Sequence, residues 1–269
     1  MKAAPAAATL PPMWDLVAIF GIAVLGGAAP LLARWSDRSL HVALALSTGL
    51  FLGAVFLHLL PEIAVPLESA AGADSHAALT GHDHDAHQGQ MLPWLFVLLG
   101  ALSVYLFEAL VLRTHDHDDL HRHRAVSMAA LAGLSVHALT AGVSYGMARD
   151  VPGAGKTLLV AMLAHKGFEA FSLTSVFQLA SLARRQVLLW VLLFACVTPL
   201  GVGLGQFLAT GAGHSTFTVL QAIAAGTFLF VCMGELLPEV FHHREDSLSK
   251  LGLLGIGIAL MWFVHDLGL

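Results

Sequence analysis

Eight stretches of about 20 apolar residues follow one another along this chain, at about 14–33, 42–65, 92–113, 125–148, 157–181, 187–209, 217–240 and 248–267. A helix needs roughly 20 apolar residues to cross the hydrocarbon core of a bilayer. The fold class this implies is all-α: a polytopic membrane protein with eight transmembrane helices. Charge supports it. Only 12% of the 269 residues are charged and 57% are hydrophobic, whereas soluble domains carry about 25% charged residues. A soluble globule so poor in charge could not cover its own surface. The spans occupy most of the chain, which forms a single transmembrane domain over 1–269 and leaves no room for a large soluble catalytic domain.

Several classes fall away on the same grounds. The net charge of −5 comes with no basic cluster, so no nucleic-acid partner is expected. Cys196 and Cys232 lie inside apolar runs without a spacing motif, which argues against a disulfide framework or a zinc ribbon. The opening MKAAPAAATLPPMW lacks a basic segment followed by a short apolar core and a cleavage site, so no cleaved signal peptide is read. GAGK at 153–156 has Asp150 where a phosphate loop needs glycine, and no strand precedes it. It is read as a turn, and no nucleotide is expected.

Lys and Arg collect on the cytoplasmic side of membrane proteins. With the N-terminus outside, the inner segments carry Arg34, Arg38, Arg113, Arg122, Arg124, Arg184, Arg185, Arg244 and Lys250. The outer segments carry only Lys2, Arg149 and Lys156. Both termini are therefore expected to be extracytoplasmic, in a multi-pass protein of the cell membrane. The longest gap, 66–91, is then an extracytoplasmic His-rich loop, and 114–124 a cytoplasmic one.

The second run ends in His58-Leu-Leu-Pro-Glu62 and the seventh in Glu235-Leu-Leu-Pro-Glu239. Upstream, Gly49, Phe51 and Leu52 match Gly226, Phe228 and Leu229 in the same register. The second helix runs outward and the seventh inward, so the expectation is an inverted repeat relating helices 1–3 to helices 6–8. Such repeats mark secondary transporters, whose substrate sites lie near the midplane.

An ionisable residue inside a span costs about 2.5–3.5 kcal/mol on an insertion scale and is a functional candidate for that reason. The fourth run carries His137, and the fifth carries His165, Lys166 and Glu169. His165 and Glu169, four apart, share one helix face, and His137 lies at similar depth. Imidazole and carboxylate suit zinc and its first-row neighbours. The three are read as a metal site. A lone buried His is more often a hydrogen-bonded core residue, and a His–Glu pair can be structural, but neither explains three such groups at one depth. Lys166 lies too far from the helix end to reach water, so it must be paired or deprotonated. It either replaces a second metal beside Glu169 or forms a salt bridge that opens when metal arrives.

His58 with Glu62, and Glu235 with Glu239 followed by His242 and His243, are read as the outer and inner mouths of a cation path. The competing reading is that helix ends tolerate charge and that Pro61 and Pro238 end their helices. Glu108 is a weaker accessory candidate. His82, His84 and His87 outside, and His115, His117, His121 and His123 inside, alternate with acidic residues, as in tracts that bind divalent metal loosely.

Taken together these residues resemble the ZIP (Zrt/Irt-like) family of metal-ion transporters, over the whole chain. The family's fourth-helix signature begins with His and reaches an acidic residue and Gly; here it reads His137-Ala-Leu-Thr-Ala141-Gly142. Its fifth-helix signature, His-Glu-x-Pro-His-Glu, reads His165-Lys166-Gly-Phe-Glu169-Ala170, similar to the branch with Lys in place of the first Glu. The sixth helix has Thr198-Pro199 where some members place Glu before Pro. In two-metal members the second ion uses positions that here are Ala138, Ala141, Lys166 and Thr198, while the first-site positions His137, His165 and Glu169 are kept. The resemblance thus implies a one-metal carrier, a four-helix unit that moves against the rest, and a homodimer.

The functional expectation is a zinc or similar divalent-cation importer working by alternating access, with the metal as cargo and no resident cofactor. A nickel or cobalt permease would need an HxxxxDH motif, which ALTAG after His137 breaks. A zinc protease would need HExxH, which Lys166 breaks, so no enzyme is expected. A non-transporting membrane metal sensor is the remaining alternative.

Overall fold

The computed structural model describes residues 13–33, 35–61, 63, 84–112, 119–149, 154–209, 214–242 and 246–266. Among these residues there are eight long helices and no strand: α1 Met13–Leu32, α2 Asp37–Ala54, α3 His84–Phe107, α4 Asp119–Ala148, α5 Ala154–Leu179, α6 Arg184–Ala209, α7 His214–Phe230 and α8 Ser247–Asp266. The chain is a polytopic membrane protein. Seven of the eight are long and apolar enough to cross a membrane. The exception, α5, has the length, at 26 residues. It lacks the apolarity because His165, Lys166 and Glu169 sit in its middle.

Helices reach further than the apolar runs. Helix α2 starts at Asp37, capped by the Ser36 hydroxyl, which accepts from the Ser39 amide. Helix α3 starts at His84, within the stretch expected to be loop, and α4 at Asp119, so His121 and His123 belong to a helix. Three helices end in a widened π-helical turn: Val55–Leu59 after α2, Glu108–Leu112 after α3 and Val231–Leu236 after α7. A proline ring normally clashes with the carbonyl four residues back. Beyond the widened turn of α7, Pro238 is accommodated and the helix continues over Leu237–Val240, so Pro238 does not terminate it. Such turns recur at functional sites.

The helices pack in two sets. Helix α4 lies along α6 and α1 along α5; α2 lies along α8 and α3 along α7. The sets meet where α4 crosses α7 and α2 crosses α5. Burial follows: 61–67% of the spans of α2, α4 and α7 is buried, against 17% for α3 and α8. The central core includes Phe51, Leu134, Leu173, Phe177, Phe194 and Phe228. A Cβ on Gly49 would meet the Leu254 carbonyl oxygen of α8 at 2.1 Å, and one on Gly257 would meet that of Leu46 at 2.3 Å. In the other pair, a Cβ on Gly226 would meet the Val97 oxygen of α3 at 1.9 Å, and one on Gly100 that of Ile223 at 2.4 Å. Only glycine permits this approach, as in other lipid-embedded helix pairs.

Polar contacts mark the two ends. At one end Arg38 of α2 pairs with Asp246 before α8, which holds the exposed Asp246 carboxyl below the usual carboxylate range. At the same end Gln178 of α5 donates to the Pro30 carbonyl of α1 at 2.8 Å. At the opposite end the Tyr145 hydroxyl of α4 donates to buried Asp15 of α1 at 2.6 Å, with Arg149 at 3.6 Å.

Replacing Gly49 or Gly226 by Val should lower stability by about 1–3 kcal/mol or more, because the neighbouring backbone must move. Gly252, with nothing within 4 Å of its Cβ position, should tolerate the same change. Thermal unfolding in detergent reads the difference.

Candidate metal centre

Helices α4 and α5 bring His137, His165 and Glu169 together at the middle of the bundle. One ligand atom from each lies within 4.8 Å of the others, and no other group of three His, Cys, Asp or Glu among the described residues does this. The Nε2 atoms of both imidazoles approach the same Glu169 oxygen, Oε1, at 3.3 Å for His165 and 3.5 Å for His137. Zinc–nitrogen and zinc–oxygen bonds of about 2.0–2.1 Å put donor atoms about 3.3 Å apart along a tetrahedron's edge. The observed separations match that edge, so the trio can hold an ion with little rearrangement.

The other carboxylate oxygen is occupied. Lys166 Nζ donates to Glu169 Oε2 at 2.7 Å and lies 4.4 Å from the centroid of the Phe194 ring of α6. Both partners of the pair are 1% exposed. Lys166 therefore forms a buried salt bridge and takes up one face of the carboxylate.

Phe228 of α7 fixes the imidazole of His137. The two rings stack at 4.0 Å with 17° between their planes, and Phe51 of α2 packs on Phe228 at 5.1 Å. Neither ring nitrogen of His137 has a hydrogen-bond partner among the described residues. The ring is oriented by its aromatic neighbour while both nitrogens remain available. Ala138, Ala141, Lys166 and Thr198, the positions where the family resemblance would place ligands of a second metal, offer no carboxylate. Thr198 is fully buried and its hydroxyl has no hydrogen-bond partner among the described residues.

A cavity of about 60 Å³ adjoins the trio, lined by His137 and His165 with His58, Ser144, Gln221 and Met261 among others. It extends toward the end where Tyr145 meets Asp15. His58 thus reaches the same cavity as the trio, while its sequence partner Glu62 lies outside the described residues. Glu235 and Glu239 are buried in the last turns of α7. Glu239 Oε1 is 2.8 Å from His123 Nδ1 and 3.5 Å from His41 Nε2. His242 stacks edge-on against His123, with ring centroids 6.0 Å apart. His123 is therefore part of a helical cluster. Glu108 is half-buried at the end of α3 and is not brought to the trio. Helices α3 and α4 include His84, His87 and His121, whose side chains are outside the described residues, as are His82, His115, His117 and His243 altogether.

Sequence reasoning missed His41, because hydropathy starts the second run at 42 whereas α2 starts at Asp37. It also missed Phe228 as a partner of His137, since a Phe in an apolar run gives no signal of what it stacks on. Asp15 could have been found: it is a lone carboxylate at the start of an apolar run.

A family model described as ZIP zinc transporter matches residues 112–265, more than half of the chain. Over 293 residues the chain is 28% identical to zinc transporter ZIP2 of Mus musculus, covering 91% of this chain and 94% of that protein. It is 27% identical to zinc transporter ZIP2 of Homo sapiens, over 93% and 95% of the two chains. Identity reaches 41% with zinc transporter ZIP1 of Bos taurus, over 48% of this chain and 40% of that protein.

Replacing Lys166 by Met leaves the Glu169 carboxylate buried without its cation, which should destabilise the metal-free protein by about 3–5 kcal/mol. Adding Glu169→Gln to that variant should restore most of the loss. Unfolding in detergent with chelator measures both. A single variant as stable as the parent would show that the pair does not bear on the fold.

Proposed function

Since the chain belongs to the ZIP zinc transporter family, we propose that it carries a divalent transition-metal ion, zinc first among them, into the cytoplasm through one site formed by His137, His165 and Glu169. The convergence of two imidazole nitrogens on one carboxylate oxygen at tetrahedral-edge spacing, at mid-membrane, carries this reading.

The ion enters from the cavity lined by His58 and Gln221, exchanges water for His165, His137 and Glu169 Oε1, and leaves past Glu235 toward Glu239. Lys166 keeps Glu169 neutralised before the ion arrives, as a buried carboxylate requires. While the ion is bound, the ammonium repels it from the Oε2 side, which limits affinity and speeds release. It also fills the place of a second metal.

Transport proceeds by alternating access, with α1, α4, α5 and α6 moving against α2, α3, α7 and α8. An inverted repeat supports this. The close-approach residues of α2, Leu46 and Gly49, recur 177 positions on as Ile223 and Gly226 of α7, and Val97 and Gly100 of α3 recur 157 positions on as Leu254 and Gly257 of α8. Widened turns close both α2 and α7. The excess of Arg at the Arg38–Asp246 end supports a cytoplasmic placement of that end, with both termini outside, in the cell membrane. The assembly is a homodimer, and the histidines at 82–87 and 115–123 gather metal at the two mouths.

Zinc uptake into proteoliposomes tests this. Alanine at His137, His165 or Glu169 should each reduce uptake at least tenfold at limiting zinc. Unchanged uptake and binding in all three would refute the site. Deleting 76–89 should leave uptake at saturating zinc intact and lower it at scarce zinc; complete loss in correctly inserted protein would mean the deleted stretch belongs to the site.

A further inference from the structure

At the Arg38–Asp246 end of the bundle, a cavity of about 400 Å³ opens between the last turns of α1 and α5 and the first turn of α6. Its volume is within the roughly 300–1,000 Å³ of sites that hold small organic molecules. Pro30, Leu31, Leu182 and Val187 give it apolar walls, while Gln178 and Arg184 are polar. The Gln178 amide nitrogen donates to the Pro30 carbonyl at 2.8 Å and so joins α5 to α1 beside the cavity. The membrane span of α1 ends at Leu32 and that of α6 begins at Arg184. The cavity is therefore at the depth where hydrocarbon gives way to lipid headgroups.

Charge and periodicity on α6 say what fits there. Arg184 and Arg185 are both exposed, and among the described residues neither is paired with a carboxylate. From 154 to 209 the sequence has one acidic residue, Glu169, and Lys166 holds it. Residues four apart share a helix face. Arg184 thus heads a row with Leu188 and Leu192, and Arg185 one with Leu189 and Leu193. All four leucines are exposed, whereas Val187 and Val191 are buried. The rows set both arginines against acyl chains, so the phosphates nearest to them are those of lipids. The cavity beside Arg184 gives one such lipid a fixed place, and a guanidinium can take a phosphate through two parallel hydrogen bonds. Basic pockets between helices on the cytoplasmic side bind anionic headgroups, and the excess of Arg supports that placement of this end.

We propose that the cavity is a binding site for one anionic phospholipid. Its phosphodiester pairs with Arg184, its headgroup enters between α1 and α5 to meet Gln178, and its acyl chains lie along the leucine rows of α6. Arg185 adds to the field that attracts it. A zwitterionic lipid carries a cation of its own, which the arginines repel, so phosphatidylglycerol is favoured over phosphatidylcholine. The walls come from α1, α5 and α6, which belong to one helix set, so the lipid stays with that set. Gln178 is nine residues, about 14 Å, along α5 from Glu169. Lipid and ion therefore do not touch, and either site can fail without the other.

Native mass spectrometry of the purified full-length chain in detergent, with phosphatidylglycerol, phosphatidylcholine or inorganic phosphate added, tests this. The parent should hold one phosphatidylglycerol more tightly than any phosphatidylcholine, and inorganic phosphate should not displace it. Replacing either arginine by Gln should weaken that lipid about fivefold, and replacing both about 25-fold. Ala33→Trp, which fills the cavity without changing charge, should abolish the preference. Lys156→Gln, at the opposite end of the bundle, should change nothing. Thermal unfolding in lipid-free detergent should match the parent for every variant, which reports that each is folded. Equal retention of the two lipids by the parent, or parental affinity in the double arginine variant, would overturn the proposal. A loss in Lys156→Gln as large as in the double variant would overturn it in favour of attraction by net charge. Displacement by inorganic phosphate would overturn it in favour of a site for the free anion.

Discussion

A carboxylate that water cannot reach must be neutralised where it stands, and Glu169 sets that demand at the centre of this bundle. Its two oxygens are divided. Oε2 is held by the Lys166 ammonium at 2.7 Å, and Oε1 faces His165 and His137. Much of the surrounding structure serves this division. Helix α5, the one of the eight without a stretch apolar enough to cross a membrane, can carry these charges only because others surround it. Helix α6 brings the Phe194 ring under the ammonium, and α7 brings Phe228 against His137. Close approaches at Gly49, Gly100, Gly226 and Gly257 draw the outer helices α3 and α8 onto α7 and α2, which lets the latter be buried.

The two ends of the bundle differ in their polar chemistry. Near Asp15, Tyr145 and Arg149, the contacts join α1 to α4 within one helix set. At the other end, Glu239 reaches His123 across the boundary between the sets. Nearer the middle the Ser172 hydroxyl of α5 donates to that of Ser47 of α2 at 2.7 Å, across the same boundary. Links of the second kind must break if one set slides against the other, whereas links of the first kind travel with their set. This asymmetry agrees with a cavity that adjoins the trio on the Tyr145 side.

Much of this was legible in the sequence because a bilayer leaves few choices. Apolar length located the helices, and the exceptional cost of charge in a span singled out His137, His165, Lys166 and Glu169. What remained hidden had particular causes. Hydropathy cannot see helix that lies beyond the apolar run, so His41, His121 and His123 fell into loops although they are helical. Pro238 looked like a terminator because the widened turn before it leaves no mark in composition. Lys166 had to be paired or deprotonated, and only the folded chain shows its ammonium on Glu169 Oε2 with the Phe194 ring beneath it. Phe51 and Phe228 stood out as repeat-related positions, but only the folded chain brings their rings together.

The central claim is that one ion sits among His137, His165 and Glu169 with Lys166 in place of a second. X-ray absorption at the zinc edge, on protein loaded with one equivalent of zinc, examines it directly. The account predicts a shell of nitrogen and oxygen at about 2.0–2.1 Å with the outer scattering of two imidazoles and no sulfur. It also predicts no metal–metal vector at about 3.5–4 Å, even when more zinc is added. A sulfur neighbour, which would point to Cys232, or a metal–metal vector at that distance would contradict it.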